Sequence, residues 1–224
     1  MIDVAQALLA RKSVRAYLKK PVSRVDIETI LNYARYSPSG TNTQPWDVAV
    51  VSGNSKQQLD ALLLKQFCAG IPQNMDYHYY PVTQLPPLLQ SRRRACGLQL
   101  FSALGITRDH KEKRMLQWAK NYSAFDAPVA LYFFADAVLE KGSFMDYGMF
   151  LQSIMLMASA MGLATCPQAA LAEQPQIVKA FLGRERDNVV LVCGMALGYE
   201  DTSDAVNSYR TVREEVASFT KFYD

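Results

Sequence analysis

Hydrophobic periodicity predicts an α+β or α/β domain with helix in excess, on three observations. Short apolar runs of strand character, at Asp47–Ser52 and at residues 128–135 and 188–199, alternate with stretches of helical period. The alternation is too irregular for a simple doubly wound sheet. Residues 143–162 form a helix of about five turns that carries apolar side chains on every side, among them Phe144, Phe150, Leu151, Ile154 and Met157. Such a helix is buried all round, which points to a central helix or a subunit interface.

The elements follow in order. Val4, Ala5, Leu8 and Leu9 give a short amphipathic helix, and residues 11–17 an extended linker. Ser23 caps a second helix with Ile27, Ile30, Leu31 and Ala34 on one face, which stops before Pro38. Residues 37–46 (Ser-Pro-Ser-Gly-Thr-Asn-Thr-Gln-Pro-Trp) make a stiff polar loop between that helix and the first strand. A helix starts near Ser55. Residues 66–87, rich in Pro and Tyr, are expected as a loop of about twenty residues, a length usual for functional covers. Helices are expected over 88–104 and 111–121, a short strand over 163–166 and a helix over 174–182. Gly162 closes the long helix as its C-cap.

Half of the 224 residues are hydrophobic, enough for one full core, so a single domain is expected over 1–224. A net charge of +3 without a basic tract argues against nucleic acid, and Arg92-Arg93-Arg94 reads as a solvated helix face. The start of the sequence lacks the pattern of a secretory signal. The most apolar stretch is interrupted by Asp146, Gln152, Ser153 and Ser159 and makes a poor membrane span. Cys68, Cys96, Cys166 and Cys193 lie among apolar residues and are expected as buried, reduced thiols, which together predicts a cytoplasmic protein.

Several chemistries are missing. His78 and His110 lie in polar, loop-like settings, and no metal-ligand spacing is present. There is no Gly-x-Ser-x-Gly elbow, no Gly-x-Gly-x-x-Gly and no P-loop. If the chain is an enzyme, a cofactor is expected to supply the reactivity, with no side chain as obligatory acid or base. What is present suits an anion. Arg11, Ser13 and Arg15 alternate, so an extended segment puts two cations and a hydroxyl on one side, suited to a phosphate monoester. A basic linker completing the preceding helix is the other reading. Arg210 and Arg213, three apart, could share one face of a helical turn. In Cys166-Pro167-Gln168-Ala169-Ala170 the small residues allow backbone amides to approach a flat ligand.

Taken together and in register, these elements resemble the FMN-dependent nitroreductases over nearly the whole chain. Residues 11–17 are similar to that family's Arg-x-Ser-x-Arg-x-Phe/Tyr element, and residues 34–46 to its Ala-x-x-x-Pro-Ser-x-x-Asn-x-Gln-Pro-Trp motif. Asp126-Ala127-Pro128-Val129 resembles the entry to a core strand. Residues 146–166 resemble its dimer-forming helix, and residues 192–199 and 207–213 its last core strand and C-terminal phosphate contact.

The resemblance implies an α+β fold with a central mixed sheet surrounded by helices, completed by homodimerisation. It implies that Arg11, Ser13 and Arg15, with Lys12 in the same element, hold FMN phosphate and ring oxygens, joined by Arg213 and Arg210. Pro38, Ser39 and Gly40 of the partner would pack against the isoalloxazine, with Asn42 and Gln44 bonding nearby. Pro167, Gln168, Ala169 and Ala170 would line the ring beside its hydride-accepting nitrogen, and residues 66–94 would form a variable cover. Ala205, where the family often has Pro, and residues 184–187 depart from the pattern without touching a flavin contact. The implied activity is ping-pong reduction of nitroaromatics, quinones or similar small acceptors by NADH or NADPH. The alternatives are a flavin-binding sensor or store without turnover, and a relative with dehalogenase or other flavin chemistry.

Overall fold

β2 (Val129–Asp136) is buried from Val129 to Ala135, as expected of an apolar strand with neighbours on both edges and layers on both faces. The computed structural model, which describes residues 3–81 and 83–224, pairs it antiparallel with β1 (Asp47–Ser52) and β4 (Val189–Gly198). β3 (Ala164–Gln168) adds to β4, giving the order β1-β2-β4-β3. These four strands are antiparallel throughout. The mixed character expected of the sheet reduces, among the described residues, to one parallel bridge between Ser13 and Thr165.

Period-two alternation along β2 assigns the two faces. Val129, Leu131 and Phe133 meet α2 (Arg24–Ala34) and α6 (Lys141–Ala160), while Ala130, Tyr132 and Phe134 meet α3 (Gly53–Cys68), α7 (Pro175–Phe181) and the turn at 120–126. α1 (Val4–Ala10) begins with a capping box in which the Asp3 carboxylate accepts from Gln6 N and the Gln6 side chain accepts from Asp3 N. α4 (Pro87–Ala103) and α5 (Lys111–Ala119) complete the helices. None is long and apolar enough to cross a membrane.

The turn before β2 carries three successive left-handed residues, Ala124, Phe125 and Asp126 (φ 49°, 54° and 58°). Ala124 and Phe125 are buried, so core packing offsets the strain. Lys56 holds the turn from α3, donating to the Ser123 carbonyl at 2.9 Å while pairing with Asp60. Beside the start of β2, a Cβ on Gly198 would stand 2.6 Å from Pro128 Cδ and 2.9 Å from Tyr17 Cδ1. Both neighbours are rings that cannot fold away. Gly198→Ala is expected to cost about 1–3 kcal/mol, read as a lower denaturation midpoint at unchanged slope.

Four expectations need correction. Residues 66–68 end α3 and residues 87–94 open α4, so the connection is shorter than 66–87. Much of it is not free. β3 covers β4 only from Gly194 onward, and the connection seals the rest of that edge: Asp76 accepts from Leu191 N at 2.8 Å and Tyr77 donates to the Val192 carbonyl at 2.5 Å. Only Cys166 and Cys193 are buried; Cys68 and Cys96 sit on outward helix faces, all four as free thiols. Of the two settings expected for α6, the central helix does not hold: within one chain it is buried along one stripe (Asp146, Tyr147, Phe150, Ile154, Ala158), with Met145 and Met149 exposed. Residues 210–213 form no helical turn, since β-branched Thr211 and Val212 favour extended backbone there.

Candidate active site

Residues 11–17 run extended along the ends of β3 and β4. Val14 N donates to the Thr165 carbonyl at 3.1 Å and Leu18 N to the Tyr199 carbonyl at 2.9 Å. Val14, 1% exposed, points into the core, so its alternate neighbours Ser13 and Arg15 face away from it. The chain's end returns to the same place. Arg11, Ser13, Arg15, Tyr209, Arg210 and Arg213 line one cleft of about 130 Å³, with Cys96 of α4 on its rim.

Asn207 ties the two strands of this cleft together. It is 4% exposed; its side-chain oxygen accepts from Arg15 N at 2.9 Å and its amide donates to the carbonyls of Ala16 and Asp201, both at 2.9 Å. Its own carbonyl accepts from Lys12 Nζ at 2.6 Å. Arg210 Nη2 donates to the Arg11 carbonyl at 2.6 Å, a second stitch. Sequence reasoning placed Asn207 in a motif but gave it no role. Its bonds to Arg15 and Ala16 span about 190 positions, and nothing local marks them. Tyr209, whose hydroxyl lies 3.4 Å from Arg15 Nη1, was missed for the same reason.

The cleft's charge is unbalanced. Among the described residues no carboxylate pairs with Arg11, Arg15, Arg210 or Arg213, whereas Lys12 is neutralised by Glu200 at 2.8 Å. Burial, followed by repulsion from Arg213 and Arg210, holds the Arg11 guanidinium below the ordinary arginine range. Cations gathered without an acid make a site for a polyanion, and guanidinium forks suit phosphate oxygens. Lys12 lines the cleft with its ammonium committed elsewhere.

The loop at 38–44 is placed away from this cleft in the same chain. Gly40 N donates to Asp146 Oδ2 at 3.1 Å, Ser37 and Ser153 hydroxyls bond at 2.8 Å, and Trp46 stacks on Phe150 at 4.7 Å. Gln44 N donates to Ser39 Oγ at 2.9 Å. Thr41, Asn42 and Gln44 are left-handed (φ 48°, 58° and 48°), strain of the kind found at binding sites. The anchors on α6 run from Asp146 to Ser153, whereas the cavity beside Arg11 is lined by Met155, Ser159 and Gly162, toward and just past the C-terminal end of the helix. From Asp146 to Ser159 the helix rises about 20 Å.

Pro167 is exposed and Ala169 partly so, but Gln168 and Ala170 turn inward. Gln168 Nε2 donates to the Asn121 carbonyl at 3.0 Å, and its buried Oε1 has no partner. Cys166 is buried, and burial pushes its thiol up to about 11, so it is no nucleophile. His78 and His110 are both exposed, as expected. No group of His, Cys, Asp and Glu able to hold a metal occurs among the described residues.

Known proteins share this architecture. The Nitroreductase family profile matches residues 8–199. A 4-nitrobenzoate reductase of Pseudomonas putida is 39% identical over 98% of this chain and 95% of its own length. A chloronitrobenzene nitroreductase of Comamonas testosteroni is 36% identical over 95% of this chain and 93% of its own length. The crystal structure of the FMN and NADPH-dependent nitroreductase NfnB from Sphigopyxis sp. strain HMH superposes with a TM-score of 0.94 at 33% identity, each chain covered completely. With the profile spanning most of its length and relatives this similar from end to end, the chain belongs to the nitroreductase family.

Proposed function

We propose that this chain is a homodimeric FMN-dependent NAD(P)H oxidoreductase that reduces nitroaromatics or similar electron-poor acceptors in the cytoplasm. The observation that carries the reading is the cleft where Arg11, Arg15, Arg210 and Arg213 converge with no carboxylate among the described residues to neutralise them. That donor set fits the phosphate of FMN, and the relatives above supply the activity: two are named for nitroaromatic substrates and one as FMN and NADPH-dependent. The chain works as a single domain over 1–224.

When bound, FMN would supply the hydride chemistry that links NADH or NADPH to the acceptor. The protein's own contribution is placement. Arg11, Arg213 and Arg210 with Ser13 hold the phosphate, and Arg15, kept in register by Asn207, reaches toward the ring. Pro167 and Ala169 offer exposed backbone to one edge of the ring, while the Gln168 side chain braces that turn from inside. The partner's Pro38, Ser39 and Gly40 form the opposite wall, with Asn42 and Gln44. Residues 83–94, which lead into and open α4, cover the site.

The dimer rests on three features. α6 leaves apolar side chains uncovered, α4 buries none of its residues, and Val216, Phe219, Phe222 and Tyr223 are exposed in the C-terminal segment. The loop at 38–44 and the basic cleft lie at opposite ends of α6. A two-fold axis that packs α6 antiparallel on its copy brings the loop of one protomer to the cleft of the other. Mixing a subunit altered at Ser39 and Gly40 with one altered at Arg15 is expected to restore part of the activity; confirmed heterodimers without recovery would count against the shared site.

The purified protein is expected to take up FMN, to bleach on anaerobic addition of NADPH, and to regain colour with a nitroarene. Failure to take up FMN, or a flavin that NAD(P)H leaves oxidised, sinks the proposal. Asn207→Ala, which removes no charge, is expected to weaken FMN binding roughly ten-fold, because loss of its bonds costs about 1–2 kcal/mol of order in the cleft. Equilibrium dialysis checks this.

A further inference from the structure

Away from the basic cleft, Phe67, Ile71, Trp118, Tyr122 and Glu173 enclose a cavity of about 240 Å³ that shares no lining residue with it. Glu173 is 7% exposed, and among the described residues no Lys or Arg pairs with it. Its carboxylate accepts from the Tyr122 hydroxyl. The rim is built onto the same residue: Asn74 N donates to the Glu173 carbonyl, and the Gln174 amide donates to the Pro72 carbonyl, both at 2.9 Å. Two walls are aromatic. Phe67 and Tyr122 stack with centroids 4.7 Å apart, and Trp118 stands half exposed at the mouth.

A carboxylate drawn from water without a counter-cation is unfavourable. Burial accordingly raises the pKa of Glu173, with the Tyr122 hydrogen bond opposing the rise. The surroundings choose the ligand. An anion is repelled by the carboxylate, a neutral arene fills the walls without compensating it, and a cation gains from the carboxylate and the ring faces together.

We propose that this cavity binds a small organic cation, a primary ammonium carried on one ring or short alkyl group, with Glu173 as its counter-ion and Trp118 as its outer wall. No step of the flavin chemistry depends on it, so it stands apart from the function proposed above.

Calorimetry of the full-length protein as purified tests this with benzylammonium chloride, and with benzyl alcohol and benzoate as neutral and anionic counterparts. Benzylammonium is expected to saturate the site about ten-fold or more tightly than benzyl alcohol, with no binding of benzoate. Glu173→Gln keeps an acceptor for Tyr122 and is expected to abolish the preference for charge. Trp118→Ala, at a half-exposed position that leaves folding intact, is expected to weaken benzylammonium several-fold. Absence of saturation, equal affinity for the alcohol, or unaltered affinity in Trp118→Ala overturns the proposal. So does competition by a nitroarene acceptor, which would put the amine in the flavin pocket.

Discussion

Arg11→Ala is expected to weaken FMN binding by about 30- to 150-fold, the loss of a charge-assisted contact of about 2–3 kcal/mol. Arg11 is singled out because it is half-buried and because its backbone carbonyl, in the Arg11–Lys12 peptide, is held by Arg210, so the stem of its side chain starts from a fixed point before any phosphate arrives. Its pKa is depressed by burial and then by Arg213 and Arg210, so the empty cleft carries a repulsion that an anion relieves. Two effects of opposite sign follow. The flavin-free variant is expected to be as stable as the unaltered protein or slightly more so, while the flavin-loaded variant loses most of the stabilisation that binding gives. Arg11→Lys, keeping charge without the fork, is expected to fall between. Arg213, more exposed and curled onto Thr211, contributes less, about ten-fold on removal. Flavin fluorescence during dialysis reads all three; wild-type affinity in Arg11→Ala would refute its phosphate role.

Asp76→Ala is expected to lower stability by about 3–5 kcal/mol, because it strips a buried Lys of its partner. Asp76 Oδ2 lies 2.8 Å from Lys179 Nζ, with side-chain exposures of 11% and 9%, and the same oxygen accepts from Leu191 N at 2.8 Å. Its removal leaves an unpaired ammonium and an unsatisfied strand-edge amide together. For a chain of this length that is a melting temperature lower by roughly 10 °C. Asp76→Ala with Lys179→Met, which removes both charges, is expected to recover part of the loss. FMN affinity, measured well below the melting temperature, should hold within a few-fold, since this anchor lies on the free edge of β4 and not in the basic cleft. A variant that melts normally but binds acceptor differently would show that residues 69–81 act as a moving cover, against the pinned edge seen here.

The elements were legible because their signals are local. The run at 128–135 reads as a buried strand from its own side chains, and Ser23 announces its helix by the bond its hydroxyl accepts from Asp26 N. The alternation of Arg11, Ser13 and Arg15 showed that three polar groups share a side, and Val14 in the core explains why. The connection after α3 misled for the opposite reason. Its prolines and tyrosines speak of irregular backbone, but Asp76 and Tyr77 are fixed by an edge of β4 more than a hundred positions away. Cys68 and Cys96 misled similarly: apolar neighbours in sequence are not apolar neighbours in space once a helix turns them outward.

By itself the sequence determined the class of fold, the stiffness of the loop at 37–46, the alternation of cations at 11–15 and the absence of metal, nucleophile and dinucleotide motifs. Those follow from dihedral preference, period and residue chemistry within a few positions. Tertiary structure alone decided that Arg210 is stitched to the Arg11 carbonyl, and that Asn207 clamps the two segments. It also decided that Lys12 is spent on Glu200 and that the loop and the cleft lie at opposite ends of α6. These depend on contacts between distant segments, whose closure is governed by the packing of the whole sheet and not by any local propensity.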